Sequence, residues 1–325
     1  MTYRLRMLRL FQLFLLLVAL ETALADEAAF NGRWIIEPLG QPPGRVMWLE
    51  VEGSGGDAIR GAAVGFAPGG QVEPLAEAEI RGDELYLTVR GRRRTETVVT
   101  ESRARLDGGE LHGVTEIDGQ QVRWLGRRAP EIADRDDGSW KEGAPVALFD
   151  GDAEDLDNWR TLRPERDGDW RVEDGLLTNS SSSADVLVSR QEFWNFRLHV
   201  EYRAPQGSNS GIGLRGRYEI QILGDHGEPP STHSNGAVYS RIAPTANATL
   251  PAEQWQTYDI TLIGRQVTVV LNGRKVIPAA ELEGFTAMAT DWREGEPGPI
   301  TLQGDHGKVE FRVIRVTPLE RETQR

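Results

Sequence analysis

The sequence contains no cysteine. That absence excludes a disulfide scaffold, a thiolate-bound zinc, a cysteine nucleophile and a lipoprotein anchor, so any bound metal must take His, carboxylate or carbonyl ligands. Positive charge is also in short supply: 37 Lys and Arg face 50 Asp and Glu over 325 residues, a net charge of -13 with His neutral. Such a chain repels phosphate backbones, and nucleic acid is not an expected partner. Missing too is an apolar run long enough to span a bilayer, which takes about 20 residues. The run at residues 10–20 is only 11 long and is broken by Gln12.

Arg4, Arg6 and Arg9 precede that run, and Ala23-Leu24-Ala25 follows it. A basic start, a short apolar core and a small-x-small site form the signature of a cleaved export signal. Residues 1–25 are therefore expected to be a signal peptide and the protein to be periplasmic or extracellular, with no stable membrane insertion after cleavage. An uncleaved anchor is the alternative. An exported chain without cysteine must draw its stability from packed cores. A length of 325 residues suits about two of them, because single cores stop growing before about 300 residues.

Residues 26–129 read as a small all-β domain. Runs at 48–51, 85–89, 97–99 and 122–125 are rich in β-branched and aromatic residues, and pairs such as Gly55-Gly56 and Gly108-Gly109 punctuate the segment. The spacing predicts an antiparallel meander or small barrel, with no chemistry assigned to it. Apolar periodicity then fades into Pro130, Asp134, Arg135, Asp136, Asp137, Gly138 and Gly143, which predicts a linker over 130–145. A second domain follows over 146–319. Its runs at 197–202, 218–223, 257–262, 267–271 and 309–314 mostly alternate polar and apolar residues, and Asn272-Gly273 marks a tight hairpin. A two-sheet β-sandwich accommodates this pattern, one face of the strands packed and the other open.

Chemistry concentrates in residues 209–223. If Tyr218, Ile220 and Ile222 face the core, period two places Glu219 and Gln221 side by side on the opposite face, with Arg215 near them across a turn at Gly216. A carboxylate beside an amide and a guanidinium binds sugar hydroxyls or acts as a base, and a strand holds it rigidly. A solvated ion pair on an open sheet face is the competing reading. Further along, Ile300 and Leu302 read as core positions, Thr301 and Gln303 face the other way, and His306 sits in a Gly-flanked turn. Histidine titrates near neutrality and acts as acid, base or metal ligand. His226 and His233 follow the Glu219 run, whereas His199, between Leu198 and Val200, reads as a sheet residue.

Several motifs then occur in order across nearly the whole second domain: Phe149-Asp150-Gly151 with Leu156 and Trp159, Trp170 with Asp174-Gly175, Asn209-Ser210-Gly211, Leu214-Arg215-Gly216 and Tyr218-Glu219-Ile220-Gln221. Gly236-Ala237-Val238-Tyr239, Trp255, Asn272-Gly273, Leu302-Gln303 with His306-Gly307, and Phe311-Arg312 with Ile314 complete the set. In these the chain resembles the 3-keto-disaccharide hydrolase family. The resemblance implies a concanavalin-like or laminin G-like jelly-roll sandwich and, in exported bacterial proteins, action on 3-keto-glucosides. Members are 3-keto-glycoside lyases or 3-keto-2-hydroxyglucal hydratases, steps that together amount to hydrolysis. One departure is visible: Gly304-Asp305 lengthens the step from Gln303 to His306-Gly307.

A ketone at C3 acidifies the hydrogen on C2, so one base can remove it and the enolate can expel the group on C1 without an oxocarbenium ion. Under the resemblance Glu219 or His306 is that base, and the other, or Arg215, assists the leaving oxygen or the enolate. Asn209, Gln221, Gln303 and Tyr239 hold the sugar. A divalent metal on the keto oxygen would act as a Lewis acid, with Glu219, His226 and His306 as chemically suitable ligands.

Two other functions fit an all-β sandwich. A conventional retaining glucanase needs two carboxylates about 5–5.5 Å apart. Here alternate strand positions read Glu219, Gln221, Leu223, and the second carboxylate is absent. A non-catalytic carbohydrate-binding module would instead display aromatic platforms, for which Trp170, Tyr239, Trp255 and Trp292 are available.

Overall fold

The computed structural model describes residues 29–321 apart from 41–45, 57, 69, 94, 118 and 180–182, so the expected signal peptide lies outside the described residues. Two compact units emerge, one built mainly from residues up to Ala129 and the other mainly from Pro130 onward.

In the first unit, β1 (Gly32–Pro38), β2 (Met47–Glu52), β3 (Arg60–Val64), β4 (Glu73–Arg81), β5 (Glu84–Arg93), β6 (Glu96–Asp107), β7 (Glu110–Ile117) and β8 (Gln120–Arg128) close into a barrel. From β2 to β8 each strand pairs antiparallel with the next, and β8 returns antiparallel to β1. Of the expected meander or barrel, the structure is thus the closed form, which leaves no free sheet edge. Period two selects the inside: Leu85, Leu87 and Val89 are buried while Tyr86 and Thr88 point outward.

Side chains fill the interior. Trp124 is buried, donates from Nε1 to Thr115 Oγ1 at 2.8 Å, and meets Phe66 edge-on at 5.7 Å. Ser102 and Thr115 hydroxyls close the small polar network at 2.8 Å. The indole fits because its neighbour on β7 has no side chain: a Cβ on Gly113 would lie 2.0 Å from Trp124 Cζ2. Gly113→Ala is expected to lower the stability of this unit by about 1–3 kcal/mol, the usual cost of overpacking, read as a lower denaturation midpoint.

The second unit begins with β9 (Lys141–Glu142), β10 (Val146–Phe149), β11 (Trp159–Thr161), β12 (Trp170–Glu173), β13 (Leu176–Asn179), β14 (Leu187–Phe193) and β15 (Phe196–Arg203). It continues with β16 (Asn209–Leu214), β17 (Tyr218–Leu223), β18 (Gln256–Ile263), β19 (Gln266–Leu271), β20 (Arg274–Glu281), β21 (Gly298–Leu302) and β22 (Glu310–Glu320). One sheet runs β12-β13-β22-β15-β18-β19-β20, with β9 and β10 also on β22, and the other runs β11-β14-β21-β16-β17. The expected runs all fall in strands, and Asn272 and Gly273, both with positive φ, turn β19 into β20. The chain is all-β, a jelly-roll sandwich following an antiparallel barrel. Leu198, Val200 and Ile260 from one sheet and Ile212, Ile220, Ile222, Ile300 and Leu302 from the other are buried in its core.

Residues 130–140 carry no regular secondary structure, as their composition predicts, yet they are tied to the sandwich. Asp134 Oδ2 accepts from Trp194 Nε1 at 2.8 Å and Asn195 Nδ2 at 2.9 Å. Gly264 has positive φ and admits the Asp134 carbonyl where a Cβ would lie 2.1 Å from it.

Candidate functional site

Strand β17 ends the five-stranded sheet, and its alternation runs as expected, with Tyr218, Ile220 and Ile222 in the core. Its other face is not open. Glu219 is 3% exposed and Gln221 1%. Two rows across β21, β16 and β17 explain the crowding. Gly213 is paired with Thr301 on one side and Glu219 on the other, while Gly211 is paired with Gln221 and accepts a hydrogen bond from Gln303 N at 2.9 Å. Each row is therefore a glycine flanked by two polar residues. A Cβ on Gly211 would come within 2.4 Å of Glu219 Oε1, and one on Gly213 within 2.1 Å of Thr301 Oγ1. The glycines form a floor, and the carboxyl and the hydroxyl lean over it.

The edge of β17 is sealed by residues 236–239. Gly236 N donates to Gln221 O, Gln221 N to Ala237 O and Tyr239 N to Glu219 O, at 2.9–3.1 Å. This run delivers Tyr239, half-buried and edge-on to His233 at 4.9 Å. The Tyr239 hydroxyl pKa is raised by burial and then by the charge of Glu219. Thr286 holds the same edge, its Oγ1 accepting from Glu219 N at 3.0 Å, and the Met288 methyl approaches Gly213.

Burial pushes the Glu219 carboxyl up to about 8; the His306 charge opposes this and Asp305 adds to it. Glu219 is therefore mostly a neutral acid at pH 7. His306 is raised above its ordinary 6.5, chiefly by its hydrogen bond to Asp305 and also by the charges of Asp305 and Glu219. Its Nδ1 lies 2.6 Å from Asp305 Oδ1, which fixes the proton on Nδ1 and leaves Nε2 to accept another. Gln303 Nε2 is 3.3 Å from the same nitrogen. The Gln221 amide lies 3.1 Å from Asn209 Oδ1, and rotated by half a turn it donates to Glu219 Oε1 at 3.3 Å.

Glu219, Gln221, Gln303, Asn209, Tyr239 and His306 lie around this floor, but two other candidates do not. Arg215 is a correction. Both Arg215 and Gly216 adopt positive φ, so period two ends at Leu214 and the side chain turns away. Its Nε donates to Trp194 O at 2.6 Å, Nη2 to Asn195 Oδ1 at 3.2 Å, and its plane stacks 3.8 Å from the Trp194 ring. Burial lowers its pKa to about 9. It is a structural cation. His226 is the second correction: it is exposed, with Nδ1 2.6 Å from Thr249 O, and contributes nothing to the Glu219–His306 pair. The proposed metal-ligand set therefore does not converge. Among the described residues no group of three His, Asp or Glu is arranged to hold a metal ion.

Trp170 and Trp255 do not offer a platform. Trp170 is buried with Nε1 bonded to Asp185 O, and Trp255 is covered by the guanidinium groups of Arg203 and Arg312 at 5.0 and 4.4 Å. Asp305, Thr301 and the two floor glycines are the participants not assigned from sequence. Thr301 was readable as sharing a face with Gln303, and glycine inside a strand signals a close approach.

A buried carboxyl leaning over a glycine floor, with an imidazole held by Asp305 nearby, makes up the candidate site of this β-sandwich. Residues 144–317, just over half of the chain, match the 3-keto-alpha-glucoside-1,2-lyase-like domain, and the chain belongs to that family. It is thereby a carbohydrate-active protein of the glycosyl hydrolase type. Similar solved structures include a proposed glycosyl hydrolase from Parabacteroides distasonis, 25% identical over 58% of this chain and 92% of that one, with a TM-score of 0.45. A second from the same organism is 24% identical over 54% of this chain and 100% of its own, with a TM-score of 0.43. The carbohydrate-binding module CBM66 from Bacillus subtilis is 13% identical over 51% and 96%, with a TM-score of 0.32. Among curated proteins none matches.

Proposed function

We propose that the protein is an exported enzyme that cleaves 3-keto-glucosides by elimination, with hydration of the resulting glucal completing a net hydrolysis. Export rests on the basic, apolar and small-residue pattern of residues 1–25. The chemistry rests on one observation: the buried Glu219 carboxyl, raised to about 8, leans over Gly211 within electrostatic reach of an imidazole whose Nδ1 is held by Asp305.

His306 Nε2 removes the proton from C2, and the C2–H electrons pass into an enolate on the C3 oxygen. The enolate collapses, the C1–O bond breaks, and the proton of Glu219 goes to the departing oxygen, releasing an alcohol. Hydration then adds water across the new C1–C2 double bond, with Glu219 as base and the His306 imidazolium as acid. This division of labour follows from environment, burial keeping one group protonated while an adjacent carboxylate orients the other as a base. Asn209, Gln221 and Gln303 supply amides for sugar hydroxyls around the floor, and Tyr239 walls one side.

The purified protein, offered a 3-keto-glucoside and its parent glucoside with and without chelator, is expected to release the aglycone from the keto sugar only. Intact binding with no turnover of the keto sugar under either condition removes the enzyme reading in favour of a binding module. Cleavage of the parent glucoside would instead favour conventional hydrolysis.

A further inference from the structure

The Thr301 hydroxyl is fully buried and has no hydrogen-bond partner among the described residues. Buried hydroxyl groups are nearly always paired, so an orphan on the face that carries the reactive groups marks a place for a ligand atom. Its position is defined by the floor. Thr301 Oγ1 leans over Gly213, and the Glu219 carboxyl leans over Gly211, two residues away on the same strand. Two residues of strand span roughly 6.6 Å, about the reach between opposite substituents of one sugar ring. The cover at the Thr301 end is soft: the Met288 methyl lies 3.6 Å from where a Gly213 Cβ would be, and a thioether chain repacks readily. The Gln303 amide oxygen, in the second row, is also buried without a partner among the described residues.

We propose that Thr301 is a specificity-determining residue that hydrogen-bonds the substrate's C4 hydroxyl once Met288 swings aside. This rests on the reading of Glu219 as the acid at the C1 oxygen, because C4 lies across the ring from C1. With C1 held at the Gly211 corner, the ring brings its 4-hydroxyl to the Gly213 corner. The enzyme therefore selects a ring with a hydroxyl at that position, and a site built to pair a substrate hydroxyl discriminates against the sugar that lacks it.

The test measures Kd and kcat/KM for a 3-keto-glucoside and its 4-deoxy analogue with the native protein, Thr301→Val and Thr301→Ser. The native protein is expected to prefer the hydroxylated sugar by about ten- to a hundredfold. Thr301→Val should abolish that preference by losing affinity for the hydroxylated sugar alone, and Thr301→Ser should retain it. No preference in the native protein, or an equal loss on both sugars in the Val variant, overturns the proposal. The two readings separate cleanly: a Thr301-dependent preference in Kd without turnover keeps the contact and sinks the elimination mechanism, whereas turnover without the preference does the reverse.

Discussion

Glu219→Gln is expected to lower kcat on a 3-keto-glucoside by about 10²–10⁴-fold with the fold intact, because the variant keeps shape and hydrogen bonding but has no proton to give the departing oxygen. The substitution also carries a stability signature that an exposed carboxylate would lack. The carboxyl is raised from 4.5 to about 8 by burial, so between those pH values the folded protein holds a proton that the unfolded chain has released. Its stabilising contribution is complete below pH 4.5 and falls by about 1.4 kcal/mol per pH unit until the folded carboxyl ionises near 8. Gln cannot ionise. The thermal midpoint of the variant, relative to the native protein, should therefore climb across that window and level off above it. A difference independent of pH would show that Glu219 is not a buried acid.

His306→Ala should cost a similar 10²–10⁴-fold in the elimination step, as expected for loss of the general base. The pH profile is the sharper readout. The base must be neutral and the acid protonated, so kcat/KM rises through the His306 pKa, which lies above 6.5, and falls as Glu219 ionises near 8. Asp305→Asn removes the main cause of the raised imidazole pKa. Its rising limb should move toward 6.5 while the falling limb stays near 8 or shifts slightly down, with kcat reduced by about tenfold or more. An unmoved rising limb would mean that Asp305 does not orient the base.

Much of this was legible in the sequence, and the exceptions have physical causes. Period two in residues 218–222 correctly separates Tyr218, Ile220 and Ile222 on the core face from Glu219 and Gln221 on the other, because side-chain direction in a strand is a local property. Closure of the first unit into a barrel depends on β1 meeting β8, a pairing across the whole segment that no local run encodes. Arg215 does not reach across the turn at Gly216 because it and Gly216 are both left-handed, which sends its side chain to Trp194 and Asn195 instead. The face of Glu219 was expected to be open, since the segment that buries it comes from residues 236–239 and 286–288, beyond the reach of alternation. Thr301 could be assigned a face but not a vacancy: that its hydroxyl has no partner is a property of the packed interior alone.

The run at 236–239 has a meaning beyond the site. Strand β17 ends its sheet, and an uncovered terminal strand is a template on which a second molecule can add its own strand. In a chain with no disulfide to restrain partial opening, such a strand is a starting point for fibre-like association. Gly236, Ala237 and Tyr239 occupy the β17 hydrogen-bonding groups at Glu219 and Gln221, so the wall of the candidate site is also what covers this edge. Peeling that segment back would unmake the site and create an adhesive edge in the same motion.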